Sequence, residues 1–282
     1  MNPGAQLAST PASHEVDLRA RAAAIRRDVV RMSHAARAPH LASALSCVDL
    51  LAALYFCELR VDPARPDDPE RDRFLFSKGH AATALYATLA HRGFIPLAEL
   101  ERFGAAGSPL AEQPIPCAVP GIEAATGSLG HGLPVGAGMA LAARITRRHY
   151  RCFVLMGDGE CNEGSVWEAV LFAPAQGLDH LAVLVDANGW QATDRSDRVM
   201  ALEPLREKFE AFGWSAHEGD GHDVDAVASV LRRVPDGSGR PIAIVARTIK
   251  GRGVSFMEDD NNWHYRVPDA AQVDAAVAEL NE

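Results

Sequence analysis

One stretch of the sequence says most about its architecture: Phe153-Val154-Leu155-Met156-Gly157-Asp158-Gly159-Glu160. Its apolar first half predicts a buried strand that passes directly into a glycine-aspartate-glycine turn. A helix should follow at once, because Ser165 and Glu168 have the spacing of a capping box. A strand, a tight turn and a helix bring free backbone amides and a helix dipole to one place. The stretch therefore predicts a phosphate-binding site.

An acidic residue at a phosphate site would repel the ligand, so Asp158 predicts a cation between its carboxylate and the phosphate. Mg²⁺ or Ca²⁺ fits, because these ions take carboxylate, amide and carbonyl oxygens together with phosphate oxygens. A second apolar strand, at 181–185, ends in Asp-Ala-Asn-Gly-Trp. There Asn188 offers an amide oxygen and Trp190 a main-chain carbonyl at the same sheet edge. The alternative is that Asp158 and Asn188 only cap loops.

Apolar strands and helices alternate along most of the chain, which predicts an α/β fold with a mostly parallel sheet and helices on both faces. The predicted strands are 151–156, 181–185 and 242–246. The predicted helices are 18–32, 48–59, 134–147, 165–176, 205–212 and 224–233. A long ordered loop is expected at 109–132, where proline and glycine are frequent. We expect a flexible tail at 1–13 and one domain at 14–282.

Composition excludes several classes of protein. The net charge is -9, and Lys and Arg are scattered, so a nucleic-acid partner is not expected. The sequence contains neither an apolar run of 18 residues nor a secretion signal at its start, which predicts a cytoplasmic protein without a membrane partner. The odd number of cysteines and the lack of a CxxC pair predict neither a disulfide framework nor a zinc site.

The sequence resembles the transketolase family in motifs that run in the family's order from about residue 18 to about residue 265. Beyond the stretches already quoted, the matching motifs are Ser77-Lys78-Gly79-His80-Ala81, Pro120-Gly121-Ile122-Glu123, Thr126-Gly127-Ser128-Leu129-Gly130-His131-Gly132, Glu163-Gly164-Ser165-Val166-Trp167-Glu168-Ala169, Ala211-Phe212-Gly213-Trp214, Asp220-Gly221-His222-Asp223 and Thr248-Ile249-Lys250-Gly251-Arg252-Gly253-Val254-Ser255-Phe256-Met257-Glu258. The resemblance implies thiamine diphosphate as cofactor and transfer of a two-carbon ketol unit from a ketose or ketose phosphate to an aldehyde.

The resemblance also implies roles for individual residues. Asp158, Asn188 and the Trp190 carbonyl would hold Mg²⁺ or Ca²⁺. The residues that would contact the cofactor are Gly157, Gly159, Glu160, Leu129, Gly130, His80, Asn188 and Lys250. The residues that would serve catalysis or the subunit interface are His80, His264, His40, Gln113 and Glu163. Without the resemblance, each histidine would more simply be a structural hydrogen-bonding group, and Glu163 a solvated carboxylate at a helix start.

The chain departs from the family pattern at three places. His40 stands in Ala-Pro-His-Leu-Ala-Ser, without the glycines that usually follow. Gln113 replaces a histidine that contacts the donor ketose, and it cannot shuttle a proton at neutral pH. Tyr265 follows His264 where glycine is usual. These departures predict a specialised substrate.

In the family, a second domain supplies the glutamate that activates the cofactor's aminopyrimidine and most groups that bind sugar phosphate. That domain is absent from these 282 residues. We therefore expect the partner to be a C-terminal, pyrimidine-domain subunit in an α2β2 assembly, and we expect no activity of this chain alone. One alternative is two-carbon acyl or ketol transfer to a lipoyl or carrier-protein thiol. Another is a non-catalytic, cofactor-binding scaffold subunit.

Overall fold

A computed structural model describes residues 18–281 and contains a five-stranded, fully parallel sheet. The strands, in chain order, are β1 (Arg73–Phe76), β2 (Cys152–Gly157), β3 (Leu181–Ala187), β4 (Ser215–Asp220) and β5 (Ile242–Arg247). Their order across the sheet is β1-β2-β3-β5-β4, so β2 and β3 are neighbours near the middle. Register pairs Gly157 with Asp186, which aligns the ends of these two strands.

Helices cover both faces of the sheet. They are α1 (Leu18–Ala36), α2 (Leu41–Ser46), α3 (Val48–Ala53), α4 (Ala82–Arg92), α5 (Gly132–Thr146), α6 (Gly164–Ala175), α7 (Ser196–Val199), α8 (Leu205–Ala211), α9 (Val224–Leu231) and α10 (Ala270–Glu279). Alternate residues of β2 belong to different hydrophobic clusters: Phe153 and Leu155 pack with residues of α1 to α4, whereas Val154 and Met156 pack with α5, α6 and α8. This alternation is what a strand buried on both faces requires. The predicted α/β class is confirmed.

Two strands were absent from the sequence-based prediction. β1 has only four residues, which is too short to show a period of two. β4 is the sheet edge next to β5, and its exposed second half is polar, so it lacks the apolar pattern of a central strand. The predicted loop at 109–132 has no helix or strand before α5 begins at Gly132.

The capping box was wrong: α6 begins at Gly164 after Glu163, and Ser165 Oγ instead donates to the Gly130 carbonyl at 2.9 Å. Ser165 thus ties the helix start to the preceding loop. The tail expected at 1–13 lies outside the described residues. Within 18–281, none of the helices is both long and apolar enough to cross a membrane.

Candidate functional site

A cavity of about 310 Å³ opens at the carboxyl edge of the sheet, where β1, β2 and β3 end. The proposed metal ligands Asp158, Asn188 and Trp190 all line it. Parallel strands deliver the residues after them to one edge, which explains why segments far apart in sequence meet here. The predicted diphosphate contacts Gly157, Gly159 and Glu160 also line the cavity, as do Leu129, His40, His80 and His264.

Asp158 is a buried carboxylate in the wall of the cavity. Gly189 N donates to its Oδ2 at 3.0 Å, and Ser196 Oγ donates to the same oxygen at 2.8 Å. Burial raises the pKa of Asp158 to about 6, and the nearby charge of Asp186 adds to the rise. An ion of opposite charge beside this carboxylate would favour its charged form.

Asn188 is fixed by the turn that follows β3. Its Nδ2 donates to Asp186 Oδ2 at 3.3 Å, and its Oδ1 accepts from Trp190 N at 3.0 Å. Gly189 has a φ of 75°, a left-handed conformation that favours glycine. This conformation lets the chain turn between Asn188 and Trp190. The Trp190 ring is held by the Arg195 guanidinium, 3.8 Å from its centroid, and by a hydrogen bond from Nε1 to Asp259.

The donor set fits a hard divalent cation that is bound together with an anion. Within residues 18–281, no group of three or more His, Cys, Asp and Glu side chains could hold a metal ion. Asp158, the Asn188 amide and a main-chain carbonyl provide one charge and three oxygens, which leaves positions for phosphate oxygens. The residues present therefore fit Mg²⁺ or Ca²⁺ with a diphosphate and do not fit a zinc site.

Glu160 is buried between two segments of the cavity wall. Gly130 N donates to its Oε1 at 2.8 Å, and Ser77 Oγ donates to the same oxygen. Its Oε2 is buried and has no hydrogen-bond partner among the described residues. Burial raises the pKa of Glu160 to about 7, although the two hydrogen bonds oppose the rise. Glu160 thus fixes the Gly130 loop at the cost of a buried, half-satisfied carboxyl.

Three histidines from separate segments meet at one side of the cavity. The ring centroid of His40 lies 5.3 Å from that of His80 and 4.9 Å from that of His264. Burial lowers the pKa of all three, to about 3 for His264 and well below the ordinary value for His80. Lys250 and Lys78 reinforce the effect because their charges disfavour imidazolium. These histidines are therefore neutral at pH 7, and each ring has one N–H donor and one acceptor nitrogen.

Two buried lysines lie close to these histidines. Lys78 Nζ donates to Asp186 Oδ2 and to the Ser43 carbonyl, and both charged side chains are almost fully buried. Although burial disfavours both charges, their attraction raises the pKa of Lys78 and lowers that of Asp186. Lys250 Nζ lies 3.0 Å from His264 Nδ1 and donates to Asn261 Oδ1 at 2.6 Å. Burial and the charge of Lys78 lower the pKa of Lys250 to about 8.

Four of the predicted residues lie next to the cavity and not in its lining: Gln113, Gly130, Glu163 and Lys250. Gln113 is exposed and covers Gly127, where an added Cβ would lie 2.3 Å from Gln113 Oε1. Glu163 is exposed and packs against Gly130.

Lys78, Gln191 and Tyr265 line the cavity but were not predicted as site residues. Lys78 could have been found, because it stands inside a quoted motif. Tyr265 packs edge-on against His264, with ring centroids 4.7 Å apart.

Comparison with known proteins identifies the family of the chain. The model of the transketolase thiamine diphosphate-binding domain matches residues 18–280. One of the subunits of the apulose-4-phosphate transketolase of Phocaeicola vulgatus is 42% identical over 257 residues, which are 91% of each chain. The 6-deoxy-6-sulfo-D-fructose transketolase subunit SqwG of Clostridium sp. is 37% identical over 268 residues, 95% of this chain and 98% of that one.

A solved transketolase structure is similar in fold to this chain. The transketolase of Leishmania mexicana superposes with a TM-score of 0.89 at 25% identity, over 95% of this chain. The match covers only 42% of the Leishmania chain, so this chain spans less than half of that transketolase. Since the family match extends over nearly all described residues, the chain belongs to the transketolase family and corresponds to its thiamine diphosphate-binding domain.

Proposed function

We propose that this chain is the cofactor-binding subunit of a two-chain transketolase that moves a two-carbon ketol unit from a ketose or ketose phosphate to an aldehyde. The observation that carries the proposal is the convergence of Asp158, Asn188 and the histidines 40, 80 and 264 on one cavity. A structural explanation of each residue taken singly does not account for their meeting at the carboxyl edge of the sheet, where α/β proteins bind ligands.

In this proposal Asp158, Asn188 and the Trp190 carbonyl would hold Mg²⁺ or Ca²⁺, whose charge would offset that of the diphosphate. Gly157 and Gly159 allow the backbone to approach it, since neither has a side chain to exclude the phosphate. Glu160 keeps the Leu129–Gly130 segment in place through its bond from Gly130 N. When bound, thiamine diphosphate supplies an electron sink for the carbanion, while the protein supplies orientation and proton transfer.

The histidines are the proton-handling groups of this chain. Because burial and Lys250 hold His264 neutral, with its Nδ1 lone pair directed to Lys250, the ring can donate a hydrogen bond to a substrate oxygen. Lys250 occupies His264 Nδ1, so Nε2 is the atom that carries the exchangeable proton. The ring centroids of His40 and His80 lie 4.9 and 6.2 Å from that of His264, and the two rings are proposed to orient the hydroxyl groups of the ketol unit.

An exposed apolar surface on α5 and α6 supports the presence of a partner chain. On α5, Ile145 is 71% exposed and Val135 is also exposed; on α6, Leu171 is 59% exposed and Phe172 is also exposed. The two helices contact each other, so these exposed apolar side chains belong to neighbouring helices. Exposed apolar patches of this kind mark protein interfaces. We assign it to a pyrimidine-domain chain in an α2β2 complex, which agrees with the designation of the relatives as subunits.

The substrate is proposed to be a ketose that carries an anionic group, because the two relatives are named for apulose 4-phosphate and 6-deoxy-6-sulfo-D-fructose. Gln113 beside the cavity and Tyr265 in its lining are the residues of this chain that would distinguish such a ketose from common ones.

Reconstitution tests the proposal. The chain is mixed with candidate pyrimidine-domain subunits, thiamine diphosphate, Mg²⁺, and a panel of ketose phosphates and sulfonates. The acceptor is an aldehyde in one series and a lipoyl or carrier-protein thiol in a parallel series. Ketol transfer should require both chains. Robust transfer by this chain alone would refute the two-chain proposal, and thiamine-dependent transfer only to a carrier-protein thiol would favour acyl-carrier chemistry instead.

A binding experiment tests the metal site separately. In the reconstituted complex, Asp158→Ala should weaken Mg²⁺-dependent binding of thiamine diphosphate by at least about a hundredfold, the upper end of what changes around metal ligands cost. Asp179→Ala is the matched control, since it removes the same charge just before β3 at the opposite edge of the sheet. Unchanged calorimetric affinity of Asp158→Ala would contradict the metal assignment.

A further inference from the structure

His222 lies outside the cavity lining, yet it connects the first helices to the segment that carries Lys250. Its Nδ1 lies 2.7 Å from Asp49 Oδ2, and Ile249 N donates to its Nε2 at 2.8 Å. Both the His222 and the Asp49 side chains are nearly buried. His222 therefore makes two directional hydrogen bonds between α3 and the turn that follows β5.

The hydrogen bonds define the tautomer of His222. A backbone N–H can only donate, so Nε2 must present its lone pair to Ile249. The proton is then on Nδ1, which donates to Asp49. A second proton on Nε2 would place two N–H groups against each other and break the bond to Ile249.

Asp49 is itself fixed. Arg26 of α1 binds both of its carboxylate oxygens, at 3.0 and 2.6 Å, and also donates to the Leu45 carbonyl. The bonds from His222 and Arg26 outweigh burial and lower the pKa of Asp49 to about 2. The Arg26 side chain also packs against Gly253, just beyond Lys250. The charged groups that face His222 are thus Asp49 and, through it, Arg26.

The other end of this connection reaches the cavity. Ile249 directly precedes Lys250, whose Nζ contacts His264 Nδ1 at 3.0 Å. Thr248, on the other side of Ile249, donates to Asp186 and takes part in the buried Lys78 network. A displacement of the Ile249 backbone would therefore move the lysine that decides which nitrogen of His264 is protonated.

We propose that His222 is a positioning residue: held by Asp49 and Arg26, it fixes the Thr248–Lys250 turn so that Lys250 binds His264 Nδ1 and leaves the proton on His264 Nε2. His222 contacts no reacting atom and acts only through Lys250. The inference concerns residues of this chain alone and does not depend on the substrate or on the partner chain.

The test is ¹⁵N NMR of the histidine-labelled full chain, which needs neither cofactor nor partner. His222→Asn keeps a donor near the position of Nδ1 for Asp49 but is too short to accept from Ile249 N. His222→Gln, which is longer, keeps an acceptor near the position of Nε2. His264 of the wild type should be the Nε2–H tautomer and should titrate with a pKa near 3.

In His222→Asn, His264 should become a mixture of tautomers, and its pKa should rise by about one unit or more as Lys250 moves away. His222→Gln should restore the wild-type spectrum. His180→Asn is the matched control: it removes the bond from Nε2 to the Ala140 carbonyl far from the turn and should leave His264 unchanged. A folded His222→Asn with wild-type His264 tautomer and titration would overturn the proposal, as would an equal change in His180→Asn.

Discussion

Glu160→Gln should stabilise the chain in the absence of cofactor, and the gain should depend on pH. Glu160 is 2% exposed, and its Oε2 has no hydrogen-bond partner within the described chain. Burial raises its pKa from the ordinary 4.5 to about 7. At about 1.4 kcal/mol per pKa unit, that difference corresponds to about 3 kcal/mol of unfolding free energy.

The direction in which the unfolding free energy changes with pH depends on which state, folded or unfolded, holds the Glu160 proton more tightly. The folded chain keeps the Glu160 proton up to about pH 7, whereas the unfolded chain releases it near pH 4.5. The wild type therefore loses stability as pH rises from 4.5 to 7 and loses no more from this group above 7. Glutamine has no proton to release, so the advantage of the variant should be small near pH 4.5 and approach about 3 kcal/mol at pH 8.

Urea denaturation at pH 5, 6, 7 and 8, followed by tryptophan fluorescence and circular dichroism, measures this difference. Glu168→Gln is the control, because it removes the same charge from an exposed position on α6. If the unfolding free energies of Glu160→Gln and the wild type run parallel across this pH range, Glu160 does not titrate as a buried acid and the account of its environment is wrong.

Three further changes test other parts of the molecule. Lys78→Met should destabilise the chain by about 3–5 kcal/mol in urea denaturation, because Asp186 keeps its buried charge without a cation; adding Asp186→Leu should recover most of the loss. Gly79→Ala should lower both the thermal stability and the thiamine diphosphate affinity measured by calorimetry, because the new Cβ would lie 2.4 Å from Gly127 N. The control is Gly138→Ala, which has open space around the new Cβ and should be neutral or stabilise the chain by up to about 1 kcal/mol. Ile145→Asp should weaken assembly with the pyrimidine-domain chain by about tenfold or more in sedimentation velocity, while Leu97→Asp, equally apolar but away from α5 and α6, should not.

The parts of the fold that could be predicted are those that a local pattern determines. β2 and β3 are continuous apolar runs because both their faces are buried, and the sequence between them has helical periodicity. β1 and β4 were missed because a four-residue strand and a polar edge strand have no such pattern. Their places in the sheet depend on neighbours distant in sequence.

The same distinction applies to the site. Asp158 and Asn188 follow directly from strand ends, so their meeting could be expected. The ion pair between Lys78 and Asp186 joins residues 108 positions apart, and no local spacing predicts it. Gln113 and Glu163 were predicted from family motifs to act in the site; the structure has them beside it, against Gly127 and Gly130, because each packs over a glycine of the loop. The family motifs indicate which residues come together near the site, whereas the packing of the loop that carries Gly127 and Gly130 decides which of them line the cavity.

The carboxylates at the carboxyl edge explain why this site favours a cation. Asp186 has a buried lysine as its counter-ion, and its pKa is lowered. Asp158 lies beside it and accepts hydrogen bonds from Gly189 and Ser196, but no lysine or arginine among residues 18–281 is bonded to it, and its pKa is raised to about 6. Lys78 is thus the bonded counter-ion of Asp186 and leaves Asp158 without one. A divalent ion at Asp158 would supply the missing charge and offset the burial cost, so cation binding should weaken about tenfold for each pH unit below 6, where a proton competes for the same oxygens.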